Sequence, residues 1–195
     1  SAVYEAMKQE ALAFLYRGMN VMMMNPRGYG LSEGEPSERG TYLDIEAAYQ
    51  YIQQQHPVPD ETILAKGVCF SGGIMAKLGE EHPKINLFLD QTYAEFHSVI
   101  MRTVDDYLRK LVGARPEDRA KEYLVQFLYG LAKGVVKLVE PGYKTVAALE
   151  KTEGHVFLLE SREDTMMPKD EEIQMVKTLQ KKNKLNKLKI ASIPG

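Results

Sequence analysis

The chain holds one cysteine, Cys69, in the stretch Gly67-Val68-Cys69-Phe70-Ser71-Gly72-Gly73. It lies between the apolar run Thr62-Ile63-Leu64-Ala65 and the helical pattern Ile74-Met75-Ala76-Lys77-Leu78. A strand that feeds directly into a helix turns so sharply that its central residue is strained and its neighbours must be small. Such a turn can present a nucleophile. Two registers are open. With Cys69 at the centre, Gly67 lies two residues before it, Ser71 fills the second small position and Gly72 follows. With Ser71 at the centre, Gly73 lies two after it and Cys69 replaces the glycine two before it. The spacing from Ile63 to Ala65 favours Cys69, because Lys66 leads into Gly67 with no slack. A third reading leaves both without chemistry, Cys69 being a small buried thiol in a tight turn. With Cys69 as nucleophile, the helix N-terminus would favour a thiolate and the N–H of Phe70 would face an oxyanion.

The elements that must carry this turn follow from periodicity. Tyr4, Met7, Ala11, Leu12, Phe14 and Leu15 recur at helical spacing and predict a first helix ending near Gly18. The unalternating run Val21-Met22-Met23-Met24 reads as a buried strand, and Asn25 to Gly34 is too rich in Gly and Pro for a regular element. Tyr42, Ile45, Ala48, Tyr49 and Ile52 share a helix face, which the run from His56 to Asp60 ends. Strands are expected at Ile63 to Ala65, Ile85 to Leu89, His155 to Leu159 and Leu188 to Ile193. Helices are expected from Gly72 to Glu81, Gly142 to Lys151 and Pro168 to Leu179, the last with Ile173, Val176 and Leu179 inward. Helices alternating with short apolar strands imply an α/β fold with a mostly parallel sheet covered on both faces, a three-layer α/β/α sandwich. Residues 95–137 break the alternation. The stripe Val99, Ile100, Val104, Tyr107, Leu108 and Leu111 and the stripe Tyr123, Phe127, Leu128, Leu131 and Val135 predict a helical insertion or lid. Ligands of such sheets gather beyond the carboxyl ends of the strands, where the loops after Met24, Ala65 and Leu159 fall.

Composition narrows the function class. With 195 residues and a formal net charge of -2, the chain is long enough for one domain with its own core and lacks the charge of a general nucleic-acid binder. The basic run Lys181-Lys182-Asn183-Lys184, with Lys187 and Lys189, reads as a solvated helix end. One cysteine excludes an internal disulfide framework and argues against a thiolate metal cluster, so neither metal nor cofactor is expected. No apolar segment is long enough to span a bilayer and the start lacks a signal pattern, so a cytoplasmic location is the expectation.

The stretch Gly18-Met19-Asn20-Val21 to Met24, followed by Arg27-Gly28-Tyr29-Gly30-Leu31-Ser32-Glu33-Gly34, resembles the strand and loop of α/β hydrolases. So does the helix start Gly40-Thr41-Tyr42-Leu43-Asp44. With the elbow at Gly67, the order and spacing resemble the prolyl-oligopeptidase-like and BEM46-like members, over nearly the whole chain. Ser71 in place of glycine is a departure. The family writes G-x-x-D-x-x-V-P after the strand that ends at Leu159, and this chain has Ser161-Arg162-Glu163-Asp164-Thr165-Met166-Met167-Pro168. The resemblance therefore implies Asp164 as the catalytic acid, with Glu163 and Asp90 as alternatives. An Asp just past a buried strand could also cap the next helix.

The resemblance further implies a histidine after the final strand, which His56, His82, His97 and His155 do not supply. It is expected beyond Gly195, as early strands carrying a second oxyanion donor are expected before Ser1. The chain thus reads as 1–195 of a partial α/β-hydrolase core with 95–137 inserted, completed by further segments or a second chain. The implied reaction is hydrolysis of an ester or thioester of a small-molecule or acyl substrate, through a covalent acyl-enzyme at Cys69. The rival is a catalytically inactive hydrolase-like scaffold that binds a protein. Tyr107, Tyr123, Phe127 and Tyr129 would either line an acyl site or only pack, and Arg27 is expected to steady its own turn.

Overall fold

The computed structural model describes residues 2–115, 118–136, 142–161, 169–181 and 188–193. The chain divides into two compact units, 1–58 and 59–195.

The first unit holds two helices, α1 (Ala2–Leu15) and α2 (Glu38–Gln55), joined by a glycine-rich loop. Ser37 starts α2, its Oγ accepting the N–H of Gly40 at 3.1 Å. Arg27 fixes the loop to this helix. Its Nη2 and Nε reach the Asp44 carboxylate at 2.7 and 3.0 Å, and its backbone N–H donates to the same group at 2.9 Å. These hydrogen bonds hold the Asp44 carboxyl below its usual range. Arg27 therefore has the structural role expected of it. Val21 to Met24 does not form a strand, and Met22 is exposed. An apolar run becomes a strand only where a neighbouring chain offers a ladder, and the described elements of this unit are helices.

The second unit is built on a parallel sheet in the order β1 (Leu64–Val68), β2 (Asn86–Asp90), β3 (Val156–Ser161) and β4 (Leu188–Ile193). A sheet whose parallel strands follow chain order places its right-handed crossovers on one face. The packing agrees: α3 (Phe70–Glu81) lies on β1 and β2, α6 (Thr145–Leu149) on α3, and α7 (Lys169–Lys181) on α6. Ala65, Leu87, Leu89, Val156 and Leu158 are buried, and the register sets Ala65 beside Leu87 and Leu87 beside Val156. Burying each of the larger side chains contributes about 1.5–3 kcal/mol. The alternate residues Lys66, Phe88, Asp90, Phe157 and Leu159 are half-buried. The sheet and one helical layer of the expected sandwich thus stand in this unit.

Two helices, α4 (Phe96–Val112) and α5 (Arg119–Val136), pack together as a hairpin. Gly113, in the left-handed conformation, ends α4, and Arg109 ties the helices through Glu122 at 2.6 and 2.9 Å. The hairpin begins and ends at one place. Glu95 and Lys144 form an antiparallel bridge, Phe96 N–H donates to Tyr143 C=O at 3.0 Å, and Val146 N–H to Ala94 C=O at 3.2 Å. The α5 stripe faces outward, with Tyr123, Phe127, Leu131 and Val135 exposed and Val125 buried instead. Helical spacing shows that a stripe exists, but a lone pair of helices can bury only one face of each. In α7, similarly, Met175 and Leu179 are buried and Ile173 is exposed.

Candidate functional site

The turn from β1 to α3 has the form that its glycines imply. The strand ends at Val68, the helix starts at Phe70, and Cys69 between them has φ 51 and ψ -112. A side chain in that region costs of order 1–3 kcal/mol and persists only where its surroundings fix it. Here they do. Cys69 N–H donates to Asp90 C=O at 2.8 Å, and Gly72 N–H to Cys69 C=O at 3.1 Å. A Cβ on Gly67 would stand 2.6 Å from the backbone of Gly72, and one on Gly72 would stand 1.9 Å from Thr92 Oγ1. The absence of side chains at these two positions lets the helix rest against the strand. Cys69 is a free cysteine and is half-buried.

Ser71 lies inside the first turn of α3, which starts at Phe70, two residues earlier than expected. Its Oγ accepts the N–H of Val68 at 2.8 Å and donates to the C=O of Val68 at 2.9 Å. The hydroxyl closes the turn on itself. The departure from glycine is thereby accommodated, and the apex of the elbow belongs to Cys69.

Phe70 is the first helical residue, so its N–H has no acceptor within the helix. Its C=O accepts Tyr93 Oη–H at 3.0 Å. Its ring meets Tyr143 at 4.7 Å and Phe96 at 5.2 Å, both edge-on, while Tyr93 lies 5.2 Å from Phe96. Tyr93 and Tyr143 are buried. Sequence reasoning missed this group, whose members come from three separate stretches of the chain, around Phe70, Tyr93 to Phe96 and Tyr143. The aromatics it singled out stand elsewhere, Tyr107, Tyr123 and Phe127 being 64%, 73% and 64% exposed.

Asp90 ends β2, and its carboxylate is taken by Lys66 Nζ at 3.1 Å. Asp164 and Glu163 lie outside the described residues, as do Lys182 to Lys187 of the basic run. His56 closes α2 and His82 closes α3, His97 lies in the first turn of α4, and His155 precedes β3 at the end of the sheet opposite the elbow. Among the described residues no three His, Cys, Asp or Glu side chains are grouped to hold a metal ion. No described helix is long and apolar enough to cross a membrane.

No protein-family profile matches the chain. It is 26% identical over 151 residues to the α/β hydrolase domain-containing protein WAV2 of Arabidopsis thaliana, covering 76% of this chain and 45% of that protein. It is 33% identical over 85 residues to protein bem46 of Schizosaccharomyces pombe, covering 42% of this chain and 28% of that protein. The chain thus spans less than half the length of these curated relatives. Among solved structures, an esterase of Pyrococcus furiosus aligns with a TM-score of 0.66 and 18% identity, over 95% of this chain and 66% of the esterase. That likeness is one of fold.

Proposed function

We propose, from the α/β-hydrolase fold of the chain and its sequence similarity to WAV2 and bem46, that the whole protein hydrolyses an ester or thioester through an acyl-enzyme at Cys69. The observation that carries the reading is the left-handed backbone of Cys69 between a parallel strand and a helix N-terminus. In the proposed reaction Cys69 Sγ attacks the carbonyl carbon and its proton passes to a base. The tetrahedral oxyanion takes a hydrogen bond from Phe70 N–H. Collapse breaks the bond to the leaving alcohol or thiol, which receives that proton. Water, deprotonated by the same base, then cleaves the thioester and restores the thiol.

In this reading the base is a histidine oriented by Asp164, and a second N–H joins that of Phe70 in holding the oxyanion. The acyl group in this reading is apolar, in keeping with the aromatic cluster of Phe70, Phe96 and Tyr143 that begins at the residue after Cys69. A cytoplasmic setting belongs to the proposal, because a nucleophilic thiol works only where it stays reduced.

The places of the described histidines favour a second reading, a non-catalytic scaffold: His56 and His82 close helices, His97 lies in the first turn of α4 and His155 stands at the far end of the sheet. Exposing the folded chain to an activated acyl ester and mapping the adduct by mass spectrometry separates the two. The proposal expects acylation of Cys69 that survives Ser71→Ala and vanishes in Cys69→Ala. Acylation only at surface lysines would overturn it.

A further inference from the structure

We propose that Lys66 is a positioning residue for Cys69, acting through Asp90. The inference rests on Cys69 being the reactive group of the site.

Lys66 lies on β1 opposite Phe88, and Val68 lies opposite Asp90 at the end of β2. Lys66 Nζ is 3.1 Å from Asp90 Oδ2 and 4.8 Å from the centre of the Phe88 ring, with the two charged side chains only 14% and 17% exposed. The same Asp90 supplies the carbonyl that accepts Cys69 N–H at 2.8 Å. It also accepts Thr92 Oγ1–H at 3.3 Å, and Thr92 is the side chain on which Gly72 rests. The chain reverses immediately after it, at Gln91, with φ 49 and an N–H bonded to Leu159 C=O. Asp90 therefore holds the elbow through its backbone while its side chain is held from the elbow's own strand.

A half-buried ion pair is a costly way to fill two positions in a sheet, because both ions lose hydration that an apolar pair would never need. What the pair adds is a fixed position for the Asp90 backbone and a cancelled charge. Asp90 carries its carboxylate at the end of β2, and its backbone C=O is bonded to Cys69 N–H. Lys66 neutralises that carboxylate. Removing the cation leaves the carboxylate to oppose a thiolate, whereas removing the carboxylate charge leaves the cation to favour one. Lys66 and Asp90 are the paired charges that the described residues place at this end of β1 and β2.

The test uses the folded chain and iodoacetamide, whose reaction with the single cysteine is followed by mass spectrometry near neutral pH. Lys66→Met should slow alkylation about 5-fold or more, Asp90→Asn should speed it, and Lys66→Arg should stay close to the parent. Hydrogen exchange at the Cys69 amide should quicken at least about 10-fold in both Lys66→Met and Asp90→Asn. Alkylation that moves in the same direction in both variants, or unchanged exchange at that amide, would overturn the proposal. Asp90→Asn keeps the shape of the side chain, so it and Lys66→Arg carry the test if Lys66→Met fails to fold. Alkylation and exchange report on Cys69 whether or not an acyl adduct forms, so failure of the hydrolase reading would be seen separately.

Discussion

The Ser71 hydroxyl meets both backbone polar groups of Val68, accepting its N–H at 2.8 Å and donating to its C=O at 2.9 Å. A side chain three residues on thus performs the pairing that a strand neighbour would otherwise supply. Ser71→Ala should therefore destabilise the protein by about 1–2 kcal/mol in urea titration, the range for two hydrogen bonds with backbone groups partly shielded from water. A Ser71→Ala variant as stable as the parent would show that water replaces the hydroxyl without loss.

Gly67 and Gly72 should respond differently to a methyl group. At Gly67 the added Cβ meets backbone atoms of Gly72 at 2.6 Å, so Gly67→Ala forces the helix off the strand, and no side-chain change nearby relieves it. At Gly72 the obstacle is the Thr92 side chain, with Oγ1 at 1.9 Å, Cγ2 at 2.4 Å and Cβ at 2.7 Å. A double-mutant cycle should show Thr92→Ala recovering part of the loss in Gly72→Ala, with a coupling of about 1 kcal/mol or more, and none of the loss in Gly67→Ala. Equal recovery in both would refute the distinction.

The Arg27 to Asp44 pair predicts an acid limb. Hydrogen bonds from Arg27 hold the Asp44 carboxyl below its unfolded value, so the contribution is complete above the ordinary carboxylate range. It fades as pH falls through the depressed native value, because the unfolded chain then takes up the proton first. Thermal midpoints measured against pH should therefore drop less steeply on the acid side in Asp44→Asn, which should also start from a lower midpoint near neutrality. Parallel acid limbs in the two proteins would remove Asp44 from the account.

The outward stripe of α5 predicts an absence of effect. Phe127 and Leu131 are 64% and 55% exposed, so Phe127→Ser and Leu131→Ser should each change stability by less than about 0.5 kcal/mol in urea titration. Val125 is fully buried, and Val125→Ala should cost clearly more. A large loss at Phe127 would mean that the stripe is covered in solution.

The sheet strands were legible because each is a short apolar run bounded by turn residues, and Leu188 to Ile193 was bounded to the residue. The elbow was legible because glycine spacing is dictated by contact between strand and helix. Val21 to Met24 carries the same apolar signal without a described ladder, so hydrophobicity alone misread it. The α5 stripe misled because a helical period gives the existence of an apolar face and not which way it turns. Tyr93, Phe96 and Tyr143 left no trace, since their meeting depends on where β2 ends and where the insertion returns. The link between Lys66 and Asp90 was equally silent, being created by strand register rather than by spacing along the chain.

The bridge between Glu95 and Lys144 makes the helical hairpin a detachable cassette. Its two roots are already joined by main-chain bonds, so a tight turn grafted across residues 97–142 would leave β1, β2, β3 and β4 with the partners they have now. Loop closure of that kind is easily met, because the ends need not be brought together. The hairpin can thus be shortened by design while the strand pairings that carry the elbow stay as they are.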